Sequence, residues 1–387
     1  MKATQERALA DWLRRREPAM LELLEALVNM DSGSSDKGNV DQVGLRLEAA
    51  LREAGIATVR HPLPEHGDCV SGELPGACAG QGHVLLLGHM DTVFPPGTAQ
   101  ARPFRVDGRT AYGPGVADMK AGLVMNLFVV RAFAEVGGNP LPLRVLFTGD
   151  EEIASPASRG LTQDMARGAR AVFNAEPGRP TGNVVTGRKG ALFMDFEIRG
   201  VAAHSGVNPE QGASAIEALA RKTMALHGLA DPGRGVSTNV GTVSGGMSVN
   251  TVADFARGQL DVRFPDGVDR AELRQRIAGI IEQESPACTC GRIVREGLFL
   301  PLATTAMTLD VLARYQDAAR ETGFSVEGEY TGGSADSGLT SAVGAPTLCA
   351  VGPVGGHVHT DREYCRLDSL VPRAQALALA IARLEPA

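Results

Sequence analysis

Long hydrophobic runs are missing from this sequence. No apolar stretch comes near the roughly 20 residues that a membrane-spanning helix needs, so no membrane partner is expected. A surplus of positive charge is missing too: 38 lysines and arginines stand against 45 aspartates and glutamates, a net charge of −7. Nucleic-acid backbones are held by clustered cations, so this balance argues against nucleic acid as a partner. The run Arg14-Arg15-Arg16 reads as the solvated face of a helix. Clustered cysteine is absent: Cys69, Cys78, Cys288, Cys290, Cys349 and Cys365 are scattered. Cys288-Thr289-Cys290 lacks the Cys-x-x-Cys spacing of a zinc site, and free thiols are expected. Met1 to Arg7 lead into a charged amphipathic segment without the apolar stretch of a secretory signal, and a cytoplasmic location is expected.

What is present is ordinary globular material: 387 residues, 43% hydrophobic and 21% charged, long enough for two or three domains. Leu9, Trp12 and Leu13, then Met20, Leu24, Leu27 and Val28, keep a three-and-four spacing that predicts helix over 4–30 with a break at Pro18. Val43, Leu47, Ala50 and Leu51 predict a helix over 40–54, stopped at Gly55. The Pro- and Gly-rich segment 63–81 reads as a loop or hairpin. Val84-Leu85-Leu86-Leu87, bounded by Gly88, has the pattern of a strand buried on both faces of a parallel sheet. Runs at 143–147, 171–173 and 347–351 read the same way, with an irregular stretch at 94–116, a helix opening at Asp118 and a closing helix at 368–384.

Between 190 and 298 the order becomes strand, helix, strand, strand, helix, strand, with alternation such as Met194-Asp195-Phe196-Glu197-Ile198. That is the β-α-β-β-α-β arrangement of a ferredoxin-like domain, its sheet covered on one face. The expected fold is α/β: a mostly parallel sheet flanked by helices, built from 1–189 and 299–387, with the ferredoxin-like domain inserted at 190–298.

The chemistry-bearing residues stand where the parallel strands end, which is where open α/β sheets bind ligands. The first strand runs into His89 and Asp91, the second into Asp150-Glu151-Glu152, the third into Glu176, and the fourth into His357-Val358-His359. Asp118 opens its helix. Singly, each has an ordinary reading: Asp118 as an N-cap, Glu151 and Glu152 as acids favouring a helix start, Glu176 as a solvated turn residue. Together they are delivered to one edge of one sheet. Like charges raise one another's pKa, and two divalent cations remove that cost. Three ligand carboxylates and a hydroxide balance two dications, leaving a fourth carboxylate free to move protons. Imidazole with carboxylate favours zinc, and cobalt or manganese also fit.

His89-x-Asp91, Gly115-Val116-Ala117-Asp118-Met119-Lys120-Ala121-Gly122, Asp150-Glu151-Glu152, Ala175-Glu176-Pro177 and His359-Thr360-Asp361-Arg362-Glu363-Tyr364 follow one another in this order. In that order, and over nearly the whole chain, they resemble the di-zinc exopeptidase and deacylase family. Bacterial glutamate carboxypeptidase, acetylornithine deacetylase and succinyl-diaminopimelate desuccinylase belong to it. The resemblance implies that His89 and Glu176 complete one zinc site, that Glu152 and His359 complete the other, and that Asp118 bridges the two. It implies that Asp91 holds the His89 ring, that Glu151 is the general base, and that the Asp118–Met119 peptide is cis. His357 rivals His359, since residues two apart in an extended segment point the same way; the Thr-x-x-Glu-Tyr pattern that follows favours His359.

The resemblance also implies that the inserted domain is a mobile lid that pairs two subunits. His204, in Ala203-His204-Ser205-Gly206, would donate to the oxyanion across a homodimer, while Asn250 and Arg263 would bind the substrate's free carboxylate. Gly332-Gly333-Ser334-Ala335-Asp336 resembles the stretch that lies along the substrate in the glutamate carboxypeptidase branch. One departure stands out. That branch carries Gly-Arg-Pro where this chain has Gly297-Leu298-Phe299, which implies an apolar or small C-terminal residue in the substrate. The implied reaction is hydrolysis of the amide before a C-terminal amino acid in a small peptide or N-acyl amino acid. Deacylation of N-acyl amino acids uses the same chemistry and differs only in lid contacts. A non-catalytic binder of amino-acid conjugates would have lost the base or a ligand, and here all are present.

Overall fold

The computed structural model describes residues 2–78 and 80–384. They divide into two compact units: the chain up to Arg188 with Leu302–Thr331 and Ala335 onward, and Lys189–Pro301 with Gly332–Ser334. The expected division assigned 299–301 and 332–334 to the larger part. Ser334 groups with the smaller one, where its hydroxyl donates to the Lys189 carbonyl (2.8 Å) and accepts from Arg263 Nη1 (3.2 Å). Among the described residues no helix is long and apolar enough to cross a membrane.

Strands are numbered in chain order. The large sheet of the first unit runs β1 (Ala57–His61), β2 (Cys69–Leu74), β6 (Leu143–Thr148), β3 (His83–His89), β7 (Ala169–Asn174), β14 (Thr347–Cys349), β8 (Val184–Arg188), β13 (Gly328–Thr331). Its centre, β6-β3-β7-β14, is parallel throughout, with Leu86 of β3 opposite Val145 on one side and Phe173 on the other. All seven residues of β3 are buried, as a strand covered on both faces requires. β1 and β2 form an antiparallel hairpin whose loop spans 62–68. Half-exposed β1 has no apolar alternation to betray it. At the other edge β8 joins β14 antiparallel and β13 parallel.

The N-terminal helix pattern resolves into Lys2–Arg15 and Glu17–Val28, with Pro18 in the first turn of the second, where a missing N–H costs nothing. The helix Lys37–Glu53 starts earlier than its apolar pattern because the Asp36 carboxylate accepts from the Asn39 N–H at 3.1 Å. The helix expected from Asp118 begins instead at Ala121. Asp118 (φ −109°, ψ 91°) and Met119 (φ −131°, ψ 38°) depart from helical geometry in the turn before it, and their peptide is cis. Asp118 is therefore not a helix cap. Gly122 lets this helix reach the end of β7: a Cβ there would lie 2.0 Å from the Ala175 carbonyl oxygen. That contact brings the Asp118 turn beside Glu176.

The stretch 94–116, expected to be irregular, contributes two short strands to a further antiparallel sheet, β15 (Gly355–Gly356), β16 (Tyr364–Arg366), β5 (Thr110–Tyr112), β4 (Arg105–Asp107).

The second unit holds one antiparallel sheet in the order β10 (Ser237–Gly245), β11 (Phe255–Phe264), β9 (Gly190–Arg199), β12 (Cys290–Phe299). Helices Ala215–His227 and Arg270–Glu282 are capped by the Ser214 hydroxyl and the Asp269 carboxylate. Their apolar faces meet alternate residues of β9, with Met194, Phe196, Ile198, Leu219, Leu226, Ile277 and Ile281 all buried. In chain order these elements make the β-α-β-β-α-β ferredoxin-like arrangement.

Candidate metal centre

Three parallel strands of the first unit end in acids or imidazole. β3 ends at His89, with the Met90 N–H bonded to the Thr148 carbonyl of β6 at 2.8 Å, so the two strand ends advance together. β6 runs into Glu151-Glu152, and β7 through Ala175 into Glu176. The Ala175 N–H donates to Leu87 O at 3.0 Å, locking the third end to the first.

The structure brings the five expected ligands into two triads that share Asp118: His89, Asp118 and Glu176, and Asp118, Glu152 and His359, each within 4.8 Å. Asp118 turns one oxygen to each imidazole, Oδ1 lying 3.1 Å from His89 Nε2 and Oδ2 3.3 Å from His359 Nε2. Glu152 Oε2 lies 3.3 Å from His359 Nε2, and Glu176 Oε1 lies 3.8 Å from His89 Nε2. The His89 Nδ1–H donates to the Asp91 backbone carbonyl at 3.0 Å, which orients the ring and leaves Nε2 for the acids.

Asp91 was expected to hold that ring through its side chain. Its carboxylate does more elsewhere, accepting from Ser34 Oγ (2.7 Å) and from the N–H groups of Glu151 and Glu152 (3.1 Å each), while its nearest approach to His89 Nδ1 is 3.5 Å. Asp91 thus anchors the acidic turn as well as the imidazole. Glu151 belongs to neither triad and lies 4.0 Å from His89 Nε2.

His357 and His359 do not sit in an extended segment. Both are left-handed, with φ of 53° and 62°, in a tight turn. Such backbone is uncommon outside glycine and concentrates at functional sites. The turn sends His359 to Asp118 and Glu152, whereas His357 packs edge-on against Tyr364, ring centroids 5.7 Å apart. Asp336 is buried beneath the acidic turn, where Ser155 Oγ donates to it. Ser34 lies in a short polar run and carried no functional signal in the sequence. Glu363 belongs to the Thr-x-x-Glu-Tyr pattern that favours His359, but no spacing shows that its side chain folds onto the Asp118 loop.

Electrostatics follow from this crowding. Burial, reinforced by Glu176, Asp336 and Glu152 and opposed by His89, pushes Glu151 well above the usual carboxylate range. Burial and Asp118 take Glu176 up to about 7 against His89 and Arg188. Burial takes Asp336 up to about 6 despite the Ser155 bond, with Asp150 adding to the rise. Burial disfavours the charged forms of His89 and Asp118, but their partners prevail: His89 is held well above its ordinary value, and the two imidazoles keep Asp118 well below the carboxylate range. Hydrogen bonds to Asp118 and Glu152 take His359 up to about 10.

Among the described residues, Glu152 Oε1 is buried without a hydrogen-bond partner. An orphan acceptor within a carboxylate–imidazole triad is a position that a cation fills, so the donor set fits two divalent ions sharing Asp118.

The expected substrate residues all belong to the second unit. His204 is exposed, its Nδ1 accepting from the Gly206 N–H at 3.1 Å, and its bridge to Thr251 puts it next to Asn250. Asn250 Oδ1 accepts from Ser248 Oγ at 2.9 Å. Arg263 directs Nε to Asp261 (2.9 and 3.1 Å) and lies over the Phe193 ring, 5.0 Å from its centroid.

The model of peptidase family M20/M25/M40 matches residues 85–383. This chain belongs to that family. Carboxypeptidase G2 of Pseudomonas sp. (strain RS-16) is 30% identical over 371 residues, 94% of this chain and 88% of that protein. Acetylornithine deacetylase of Vibrio cholerae is 31% identical over 302 residues, 68% of this chain and 76% of that protein. Among solved structures, the M20 family metallo-carboxypeptidase Sso-CP2 from Sulfolobus solfataricus shares the fold with a TM-score of 0.77 at 17% identity, covering 94% of this chain and 98% of that one. The tripeptidase of Staphylococcus aureus shares it at 0.76 and 21%, covering 95% and 99%. The chain is an M20-family metallohydrolase.

Proposed function

We propose that this chain hydrolyses the amide before a C-terminal amino acid, with Glu151 as general base beside a pair of divalent ions, for which zinc suits the donors best. One observation carries the reading: Asp118 divides its two oxygens between two triads, while Glu151 stands next to both and belongs to neither. When bound, the two ions supply Lewis acidity that makes a water more acidic and polarises the scissile carbonyl. Glu151 takes a proton from the water as it adds to the carbonyl carbon, then returns it to the amine nitrogen as the C–N bond breaks. Asp91 keeps the Glu151 backbone in place, and His204 donates to the oxyanion.

The span of the similarity to carboxypeptidase G2 supports peptide cleavage. Deacylation of N-acyl amino acids is the second reading, favoured by the acetylornithine deacetylase relatives. A hydrolysis screen of dipeptides and N-acyl amino acids, each with a chelator control, decides between them. Within that screen we expect the highest kcat/KM for an apolar or small C-terminal residue, exceeding C-terminal glutamate by about tenfold or more. Phe299 packs edge-on against Phe193 at 6.1 Å, and Asp261 already partners Arg263, which weakens the pull on an acidic side chain. A best value on C-terminal glutamate overturns this preference.

We also propose a homodimer formed through the second unit, with His204 acting in the neighbouring subunit. β10 is an edge of its sheet, and Met224, Val243, Met247 and Val249 are exposed around it. Light scattering should give twice the chain mass, and a fully active monomer refutes the arrangement. All six cysteines are unpaired, which supports a cytoplasmic location.

A further inference from the structure

Glu363 is a buried carboxylate that the proposed chemistry leaves unused. It is 1% exposed. Its Oε1 accepts from the N–H groups of Ala117 (2.8 Å) and Asp118 (3.0 Å), and its Oε2 accepts from the Gly115 N–H (3.0 Å). A buried charge needs hydrogen bonds or a counter-ion to be tolerated. Here one loop supplies three N–H groups, so the charge stabilises the particular conformation that points them inward. These donors precede the helix Ala121–Val136 and have no intrahelical carbonyl to bond. That loop contains left-handed Gly115 and the non-helical Asp118 and Met119; its own backbone bonds, Val116 N–H to Gly113 O and Lys120 N–H to Gly115 O, leave the N–H groups of Gly115, Ala117 and Asp118 to Glu363.

The other end of the clamp is equally fixed. The Glu363 N–H donates to the Thr360 carbonyl at 3.2 Å, closing the turn that follows His359. The next residue opens β16, where Tyr364 is registered against Tyr112 of β5, just ahead of the Asp118 loop. One side chain therefore joins the loop of the shared aspartate to the segment that carries the second imidazole.

We propose that Glu363 is a positioning residue for the metal centre: by gripping the N–H groups of Gly115, Ala117 and Asp118, it sets the Asp118 carboxylate towards both His89 and His359 before any ion binds. This rests on the reading of Asp118 as the ligand shared by two ions. Glu363→Gln is nearly isosteric: its amide oxygen can keep the Ala117 and Asp118 N–H bonds, but its NH2 then faces the Gly115 N–H, so the grip is broken at Gly115 while the volume stays. The test strips the full-length chain with a chelator and titrates zinc against a chromophoric competitor. The wild type should take up two ions, and the variant should bind them about 10–100-fold more weakly. Equal affinities overturn the proposal. A wild type that takes up fewer than two ions sinks the metal-centre reading itself, and this proposal with it.

Hydrogen exchange on the metal-free wild type provides a second measurement that needs no variant, should Glu363→Gln fail to fold. The amides of Gly115, Ala117 and Asp118 should already be protected without metal. Free exchange that stops only when zinc is added shows that the ions, and not Glu363, order the loop.

Discussion

Glu151→Gln should lower kcat by about 10²–10⁴-fold, the usual contribution of a positioned general base, while the protein still binds two ions. Glu151 is in neither triad, so its loss removes no ligand. Its N–H bond to Asp91 is a backbone bond and survives the substitution, so the acidic turn keeps its place. KM should change little, because the carboxamide has the carboxylate's shape and lacks only the ability to take a proton. The variant should also be no less stable. Burial, and after it Glu176, Asp336 and Glu152, disfavour a charge on Glu151 more than His89 favours one, so a neutral group is at no disadvantage in the buried cluster. Rapid-quench kinetics with metal analysis on the same preparation separates the two readings. A slow enzyme that retains its ions supports Glu151 as the base; a fast one removes it from that role.

Chelation should abolish turnover and leave a protein whose stability falls as pH rises from about 6 to 9. Glu176 has an ordinary value of 4.5 and is raised to about 7 in the folded chain. The unfolded chain therefore gives up this proton first, and the folded state is penalised progressively as pH climbs through 7. His359, at about 10 against an ordinary 6.5, acts in the same direction: its partnership with Asp118 and Glu152 is fully felt below 6.5 and disappears as pH climbs through 10. Asp118 is depressed, so its contribution is present above the ordinary 3.8 and is lost only in acid, outside this window.

Metal binding works the other way. The ligands must be deprotonated to bind, so affinity rises with pH. Each tenfold gain in affinity adds about 1.4 kcal/mol of protection once ions are in excess, about 3–6 °C in Tm for a domain of 150–250 residues. The Tm difference between loaded and chelated protein should therefore widen from pH 6 to pH 9. Scanning calorimetry with and without chelator measures it, and a constant or narrowing difference rules the centre out as the source.

Much of the molecule could be read from local pattern. The fully buried β3 appeared as Val84-Leu85-Leu86-Leu87, and the second unit as period-two alternation around Met194 and Phe196, because burial on two faces or one writes itself directly into residue type. The edge strands of the large sheet did not show. β1 is half exposed, and β13 begins at a glycine and alternates exposed with half-buried residues, so neither carries an apolar signature. Asp118 illustrates the opposite failure. An acid ahead of a helical apolar pattern reads as a cap, and only the non-helical turn at Asp118 and Met119 turns its carboxylate to the imidazoles.

The sequence by itself determined which acids and imidazoles arrive at the sheet edge, and in what order, because all but Asp118 come after a strand whose burial is a local property. The tertiary structure alone decided what each of them does there. Asp91 serves the N–H of Glu151, 60 residues away, and Glu363 that of Asp118, 245 residues away. Those pairings depend on where the backbone makes left-handed turns and close approaches, as at His359 and Gly122, and such long-range geometry leaves no periodic trace in the order of residues.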